Sequence, residues 1–128
     1  MKKLTLTLLK ELLAVSRLSP EEGIPDWALK SPFLSVTRAG DELSLVTIAG
    51  IVPAGILSEN GWRCIKIKGP LNFSETGILS LLIYPLAGSK IPVFVISTYE
   101  TDYIMIKKEN LSAVISIFSK EGHIVETQ

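Results

Sequence analysis

The chain has 128 residues with 13 basic and 13 acidic side chains, so its formal net charge is zero. A hydrophobic content of 47% is too high for a disordered chain, and the length suits one compact domain or two joined half-size units. Balanced charge gives no electrostatic attraction to nucleic acid or to an anionic membrane surface, so we expect neither as a partner. With Cys64 as the single cysteine, no intramolecular disulfide can form, which favours a reducing compartment.

The N-terminal apolar run, residues 4–9, superficially resembles the start of a secretory signal. Lys10 and Glu11 interrupt it before it reaches the usual length of such a region. No stretch of the sequence approaches the roughly 18 apolar residues that a membrane span needs. We therefore expect a cytoplasmic protein with no membrane partner.

The first half of the chain contains weak strand signals and one clear hairpin. Its predicted elements are a strand at 12–18, one helical turn at 25–29, and hairpin strands at 33–38 and 42–48. The hairpin strands alternate polar and apolar side chains, and Gly40 between them can adopt the positive φ that a tight turn requires. The segment 51–60 is weak, so we place a boundary at its end, which gives an N-terminal subdomain at 1–60 and a domain at 61–128.

The second half shows clearer periodicity. Its predicted elements are strand 62–68, a helix capped by Ser74 and ended by Gly88, strands 91–96 and 103–106, a helix capped by Asn110 and ended by Gly122, and strand 123–126. The order β-α-β-β-α-β predicts an α+β, ferredoxin-like unit. Helices cover only one face of such a sheet, so the first half or a second subunit is expected to cover the other face.

Three segments of the second half, 69–79, 85–87 and 91–103, resemble an ACT domain. The similarity covers residues 61–127 and is to the branch of small bacterial ACT proteins and CASTOR-type cytosolic arginine sensors. Its most specific part is the sequence Ile-Ser-Thr-Tyr-Glu-Thr-Asp-Tyr at 96–103. The resemblance implies a βαββαβ ACT domain packed with a degenerate ACT-like N-terminal half. It also implies that a free amino acid binds at the junction between ACT units, across a homodimer.

The start of the first helix in the second half is one candidate part of this site, with Glu75, Thr76, Gly77 and Ile78. Backbone N–H groups and the positive end of the helix dipole suit the ligand's carboxylate. Gly77 either lets a ligand approach the backbone or lets the helix pack closely on a strand. The resemblance implies that Glu75 and Gly77 contact the polar head of the amino acid, whereas the alternative for Glu75 is a favourable charge at a helix start.

The hairpin supplies the other candidate residues, Ser97, Thr98, Tyr99 and Asp102. The resemblance implies that Asp102 receives the cationic end of a ligand, and the alternative is a turn-forming role. The hydroxyls of Ser97 and Thr98 either donate to a ligand carboxylate or satisfy the backbone of the hairpin itself. Tyr99 either covers the aliphatic part of a ligand or is a core or interface aromatic.

The sequence gives little support to an enzyme. His123 is the only histidine, and no Ser/His/Asp or Cys/His set can be assembled, so we expect no catalytic residue, metal site or cofactor. His123 is expected to be structural, and Cys64 to be a small buried side chain. The preferred function is a non-catalytic, amino-acid-binding regulatory module that acts on a protein partner. The alternative is a structural or protein-interaction domain with the ACT fold and no small-molecule ligand.

Overall fold

A computed structural model describes residues 2–69 and 76–128. Within them the strands and main helices are β1 (Thr5–Leu18), α1 (Asp26–Leu29), β2 (Ser35–Arg38), β3 (Leu43–Ile48), β4 (Ser58–Ile67), α2 (Ile78–Gly88), β5 (Phe94–Ser97), β6 (Asp102–Lys107), α3 (Leu111–Lys120) and β7 (Ile124–Thr127). The chain divides into two compact units. One contains the residues up to Lys10 together with Arg63–Gln128, and the other contains Glu11–Trp62.

The unit that contains Arg63–Gln128, here called the ACT unit, has the predicted order β4-α2-β5-β6-α3-β7. Its strands are arranged as β7-β1-β4-β6-β5, so β1 lies between β7 and β4. β1 pairs in parallel with β7 from Thr5 opposite Ile124 to Leu8 opposite Thr127. The N-terminal segment therefore adds a strand to the unit that was expected to begin at residue 61.

The sequence interpretation missed residues 5–11 of β1 for a physical reason. Leu6 is fully buried and its neighbours Leu4 and Leu8 are nearly so. Leu4, Leu6 and Leu8 alternate with Thr5 and Thr7, which is the pattern of a strand with one buried face, but this alternation does not reveal which strands will flank it. The predicted strand began at residue 12, whereas β1 begins at Thr5.

The core of the ACT unit is formed between the sheet and the helices α2 and α3. It is built from fully buried residues of both layers, namely Leu6, Ile65, Ile67, Leu82, Leu86, Ile104, Ile106, Val114 and Phe118. Because Ile104 and Ile106 belong to this core, the even-numbered positions of β6 face the helices. Tyr103 and Met105 consequently lie on the opposite face of the sheet.

The second unit contains the predicted hairpin. β2 and β3 are antiparallel, with Ser35 opposite Val46, and the N–H of Ala39 donates to the Glu42 carbonyl at 2.8 Å to close the turn. The predicted helical turn is α1, whose Ala28 is fully buried in a small apolar cluster. The ACT-like ancestry of this half stays a prediction.

Several element boundaries differ from the sequence prediction. Helix α2 begins after Gly77, and the predicted cap Ser74 lies outside the described residues. Asn110 precedes α3, but its side chain makes no capping hydrogen bond because a 3-10 turn, Lys108–Asn110, leads directly into the helix. β5 begins at Phe94 instead of residue 91, in keeping with Pro92, which has no N–H to donate to a strand ladder. Among residues 2–69 and 76–128, none of the helices has the length and apolarity that a membrane crossing requires.

Candidate functional site

The N-terminus of α2 has an open backbone. Gly77 adopts φ +79°, in the left-handed region that favours glycine, and no side chain of the described residues caps the helix. The Gly77 carbonyl accepts the N–H of Leu81 at 3.0 Å and the hydroxyl of Ser80 at 3.2 Å. Apart from Gly77, its chain neighbours and the adjoining helix backbone, no described atom lies within 4 Å of the position that a Cβ would take. Among the described residues none packs closely on Gly77, so the close-packing alternative has no support here, and the positive φ favours glycine at this position.

The β5–β6 hairpin fixes a carboxylate. Ser97 lies opposite Asp102 in the strand register, and its hydroxyl donates to Asp102 Oδ1 at 2.5 Å. The Thr98 hydroxyl instead donates to the Thr101 carbonyl at 3.1 Å, beside the Thr98 N–H bond to the same oxygen at 2.9 Å. The two hydroxyls thus differ in role, since Thr98 satisfies the hairpin backbone and Ser97 orients the carboxylate.

A buried threonine attaches the hairpin to β4. Thr101 is 3% exposed, and its hydroxyl donates to the carbonyl of Ile67 at 2.6 Å. Ile67 is the last residue of β4, where the chain leaves the sheet toward α2. The sequence interpretation did not single out Thr101, because a threonine in a turn gives no signal that its hydroxyl is buried.

The topology brings the two candidate regions to one end of the sheet. Helix α2 carries the chain away from the end of β4, and β5 returns it to that end at the hairpin. Asp102 shares its sheet face with Ile104, so its carboxylate lies on the side of the helices. The start of α2 at Gly77 and the Ser97–Asp102 pair therefore lie at the same end and on the same face.

The remaining predicted residues have different surroundings. Thr76 is exposed, whereas Ile78 is only 9% exposed and packs in the core, so only its backbone is available to a ligand. Tyr99 is 80% exposed at the hairpin tip and is not a core aromatic. Glu75 lies outside the described residues.

An open groove of about 510 Å³ adjoins the start of α2. It is lined by Gly77, Ser80, Leu81, Tyr84, Pro85 and Glu121. Of these, the sequence interpretation selected only Gly77. A helical projection from Gly77 would have found Ser80, Leu81 and Tyr84, which recur at spacings of three and four residues, but Glu121 follows α3 and reaches the groove only through the fold.

His123 and Cys64 are both buried, and the burial of Cys64 was predicted. His123 is 4% exposed, and its Nδ1 accepts the N–H of Leu4 at 3.1 Å. Burial lowers the pKa of His123, the nearby Lys3 lowers it further, and Glu121 opposes the shift. Burial also raises the pKa of Cys64 to about 12, which keeps the thiol neutral and unreactive.

From β4 to β7 the fold is that of the small βαββαβ modules. A family model for the ACT domain matches residues 57–120, half of the chain, and another model, for an N-terminal domain, matches residues 11–55. The chain therefore belongs to the ACT domain family, whose members are regulatory, amino-acid-sensing domains.

Individual relatives agree with this assignment. The chain is 31% identical over 125 residues to the cytosolic arginine sensor for mTORC1 subunit 1 of Mus musculus, a match that covers 89% of this chain and 38% of that relative. The crystal structure of an Agobacterium tumefaciens protein superimposes with a TM-score of 0.93 at 34% identity, covering 100% of this chain and 96% of the other. The aspartokinase alpha and beta subunits share the fold, with a TM-score of 0.64 at 13% identity and coverage of 93% and 97%. These similarities confirm the ferredoxin-like ACT fold and the predicted relation to CASTOR-type sensors.

Proposed function

We propose that this chain is a non-catalytic regulatory module that binds a free amino acid where α2 begins and thereby acts on a protein partner. The observation that supports the proposal is that two complementary groups lie at the same end of the sheet, on the face covered by the helices. The open backbone at Gly77 and the Asp102 carboxylate lie at one end and on one face of the ACT sheet. A free amino acid carries the two opposite charges that these groups complement.

The ligand's carboxylate is assigned to the first turn of α2. The first N–H groups of a helix have no partner within the helix, and the helix dipole adds partial positive charge. Gly77 leaves this backbone open, because it has no side chain and no described atom fills the space beside it. In this assignment Ile78 contributes its N–H alone, and Thr76 lies at the rim.

The positive group of the ligand is assigned to Asp102. The Ser97 hydroxyl holds one carboxylate oxygen at 2.5 Å and leaves the second oxygen to accept from an ammonium or guanidinium group. Thr98 stiffens the turn from which Asp102 projects, and Tyr99 is exposed at the tip, where it can cover an aliphatic stem. Glu75 is proposed as a second carboxylate on the family resemblance.

The site is proposed to be completed by a second copy of the chain, in the cytoplasm. ACT modules bind ligands at junctions between units, and the groove beside Gly77 is open. The mouse relative is a cytosolic arginine sensor, and this similarity supports an amino-acid ligand and a cytosolic location for this chain. This chain spans about 38% of that relative, so an amino-acid ligand and a regulated protein partner are both proposals for this chain.

The test is a thermal-shift screen of the full chain against the twenty amino acids. A ligand at about 100 times its dissociation constant adds about 2.7 kcal/mol to the free energy of unfolding, which is several degrees in Tm for a domain of this size. Asp102→Asn should abolish the shift. Asp41→Asn, the same change in the exposed β2–β3 turn, is the matched control and should keep it.

Two outcomes would contradict the proposal. If no amino acid stabilised the well-folded protein, the chain would be an interaction domain without a small ligand. If a shift survived Asp102→Asn unchanged, the ligand would bind elsewhere. The interaction alternative draws support from the outer surface of α2, where Tyr84 is 81% exposed.

A further inference from the structure

The segment before β1 is bound to the turn that follows α3. The Leu4 N–H donates to Nδ1 of His123 at 3.1 Å, and the Ile124 N–H donates to the Leu4 carbonyl at 2.9 Å. The Lys3 ammonium donates to the Glu121 carbonyl at 2.7 Å. These bonds join residues that are far apart in the sequence, and together they hold the start of β1 beside β7.

This contact is closely packed. The Lys3 side chain lies across Gly122, where a Cβ would come within 2.6 Å of the Lys3 Nζ. The His123 ring is buried and meets the Phe118 ring edge-on, with centroids 6.2 Å apart and planes at 84°. The His123 N–H donates to the Phe118 carbonyl at 3.0 Å, which fixes the backbone that carries the imidazole. We call this contact the His123 latch; its members are Lys3, Leu4, Glu121, Gly122 and His123.

The hydrogen bond from Leu4 requires a neutral imidazole. A ring nitrogen accepts a hydrogen bond only while it carries no proton. Because Nδ1 of His123 accepts from Leu4, the single proton of the neutral ring must be on Nε2. Nε2 is buried and has no hydrogen-bond partner among the described residues. A second proton would go to Nδ1, where it would face the Leu4 N–H, so that two donors would oppose each other with no acceptor between them.

We propose that the His123 latch is acid-sensitive: protonation of Nδ1 ends the bond from the Leu4 N–H and releases residues 2–4 from the turn at 121–123, while the core of the ACT unit stays folded. The charged ring can then turn toward water, where its two N–H groups find acceptors. Leu6, two residues further along β1, is fully buried in the core. The opening is therefore expected to end before Leu6.

The charges around the ring determine the pH at which the latch opens. Among the described residues, Lys3 faces His123 from the segment before β1 and Glu121 from the end of α3. Burial lowers the pKa of His123, Lys3 lowers it further and Glu121 opposes the shift. The charged residues of α3 and β7, Lys120 and Glu126, are exposed, and α2 contains none. The latch is therefore closed at neutral pH and opens as the pH falls below about 6.5, the ordinary value for histidine.

Opening of the latch also affects the candidate site. The turn that the latch holds contains Glu121, which lines the groove beside Gly77. Release of Lys3 and His123 frees this turn to move, so acid is expected to weaken the binding of an amino acid at the start of α2. This consequence rests on the proposed function, whereas the latch itself does not.

NMR of the full chain tests the latch directly, because His123 is the only histidine and its ring signals titrate without overlap. At neutral pH the ring nitrogens should show the tautomer with the proton on Nε2. As the ring titrates, the protection factor of the Leu4 amide against hydrogen exchange should fall by about tenfold or more. The amides of β6, whose Ile104 and Ile106 lie in the core, should keep their protection.

Variants of His123 and Lys3 separate the titration from other effects of acid. His123→Asn keeps an acceptor that cannot be protonated, so Leu4 protection should not change with pH. His123→Phe keeps the aromatic contact and removes the acceptor, so Leu4 should be poorly protected at every pH. Lys3→Met removes the neighbouring positive charge, so the ring should titrate at higher pH. Lys30→Met, the same change at an exposed position in the other unit, is the matched control and should leave the titration unchanged.

Three results would overturn the inference. They are a proton on Nδ1 at neutral pH, a Leu4 protection factor that stays constant as the ring titrates, and a loss of β6 protection together with that of Leu4, which would show global unfolding. Circular dichroism melting identifies a variant that fails to fold.

The thermal-shift screen separates the latch from the proposed function. A flat amino-acid screen with acid-dependent exchange at Leu4 would leave the latch standing and remove its consequence for a ligand. An amino-acid shift in a protein whose Leu4 exchange is independent of pH would support the proposed function and refute the latch.

Discussion

Replacing Thr101 with valine tests how the hairpin of the candidate site is held. Valine keeps the shape of the side chain and removes the hydroxyl that donates to the Ile67 carbonyl at 2.6 Å. Thr101 is 3% exposed and Ile67 is fully buried, so water cannot readily replace the lost donor. The substitution therefore removes the direct side-chain link between the hairpin and the end of β4.

The cost follows from the burial of the orphaned acceptor. Leaving a buried polar group without its partner costs about 1–3 kcal/mol. At about 4 °C in Tm for each kcal/mol in a chain of this length, Thr101→Val should lower Tm by about 4–12 °C. Thr101→Ser keeps the hydroxyl and loses one buried methyl group, worth about 0.8 kcal/mol, so its Tm should fall less.

Differential scanning calorimetry of the wild type and the two variants measures these effects. If an amino acid binds as proposed, Thr101→Val should also weaken that binding, because Asp102 is the next residue along the hairpin. Either of two results would refute this account of the attachment. One is a Tm for Thr101→Val within about 2 °C of the wild-type Tm, and the other is a smaller fall in Tm for Thr101→Val than for Thr101→Ser.

Three further predictions concern His123, Cys64 and Gly77. Burial and Lys3 lower the folded-state pKa of His123 below its unfolded-state value of about 6.5. The stability that this shift contributes is therefore complete above the unfolded-state pKa and is lost as the pH falls from there toward the folded-state pKa. Urea unfolding as a function of pH should show this loss, and His123→Asn should reduce it; an unchanged pH profile would contradict the prediction. Cys64, whose pKa is raised to about 12 by burial, should react with a thiol reagent only when the protein unfolds, and rapid labelling of native protein would argue against its burial. Gly77→Ala should lower the free energy of unfolding by about 1–2 kcal/mol through left-handed backbone strain alone, and Gly77→Asn should lower it less. Urea unfolding measures both changes. Equal stability of the wild type and the two variants would show that φ at this position is not the constraint.

Much of the fold can be predicted from the sequence because its signals are local. The spacing of Leu82 and Leu86 predicts a helix with one buried face, and Gly88 and Gly122 predict where the two long helices end. Alternation around Gly40 predicts the β2–β3 hairpin. Each of these signals depends on residues within one or two turns of the position it describes, so no knowledge of distant neighbours is needed.

The candidate site was predictable only in part. Gly77 could be selected because a glycine near a helix start is visible in the sequence, whereas Asp102 was selected on the resemblance to ACT proteins. That these two residues lie at the same end of the sheet follows from the topology. The Ser97 hydroxyl's bond to Asp102, and the Thr98 hydroxyl's bond to the hairpin backbone, depend on the strand register, which the sequence left open.

The sequence by itself determined the order of helices and strands from β4 to β7 and the helix faces that are buried. Only the tertiary structure decided that β1 lies between β7 and β4, that Thr101 binds the end of β4, and that Glu121 reaches the groove beside Tyr84. The physical reason is the same in each case. Such contacts join residues far apart in the chain, and they are selected by which strand edges and helix surfaces remain to be covered once the local elements have formed.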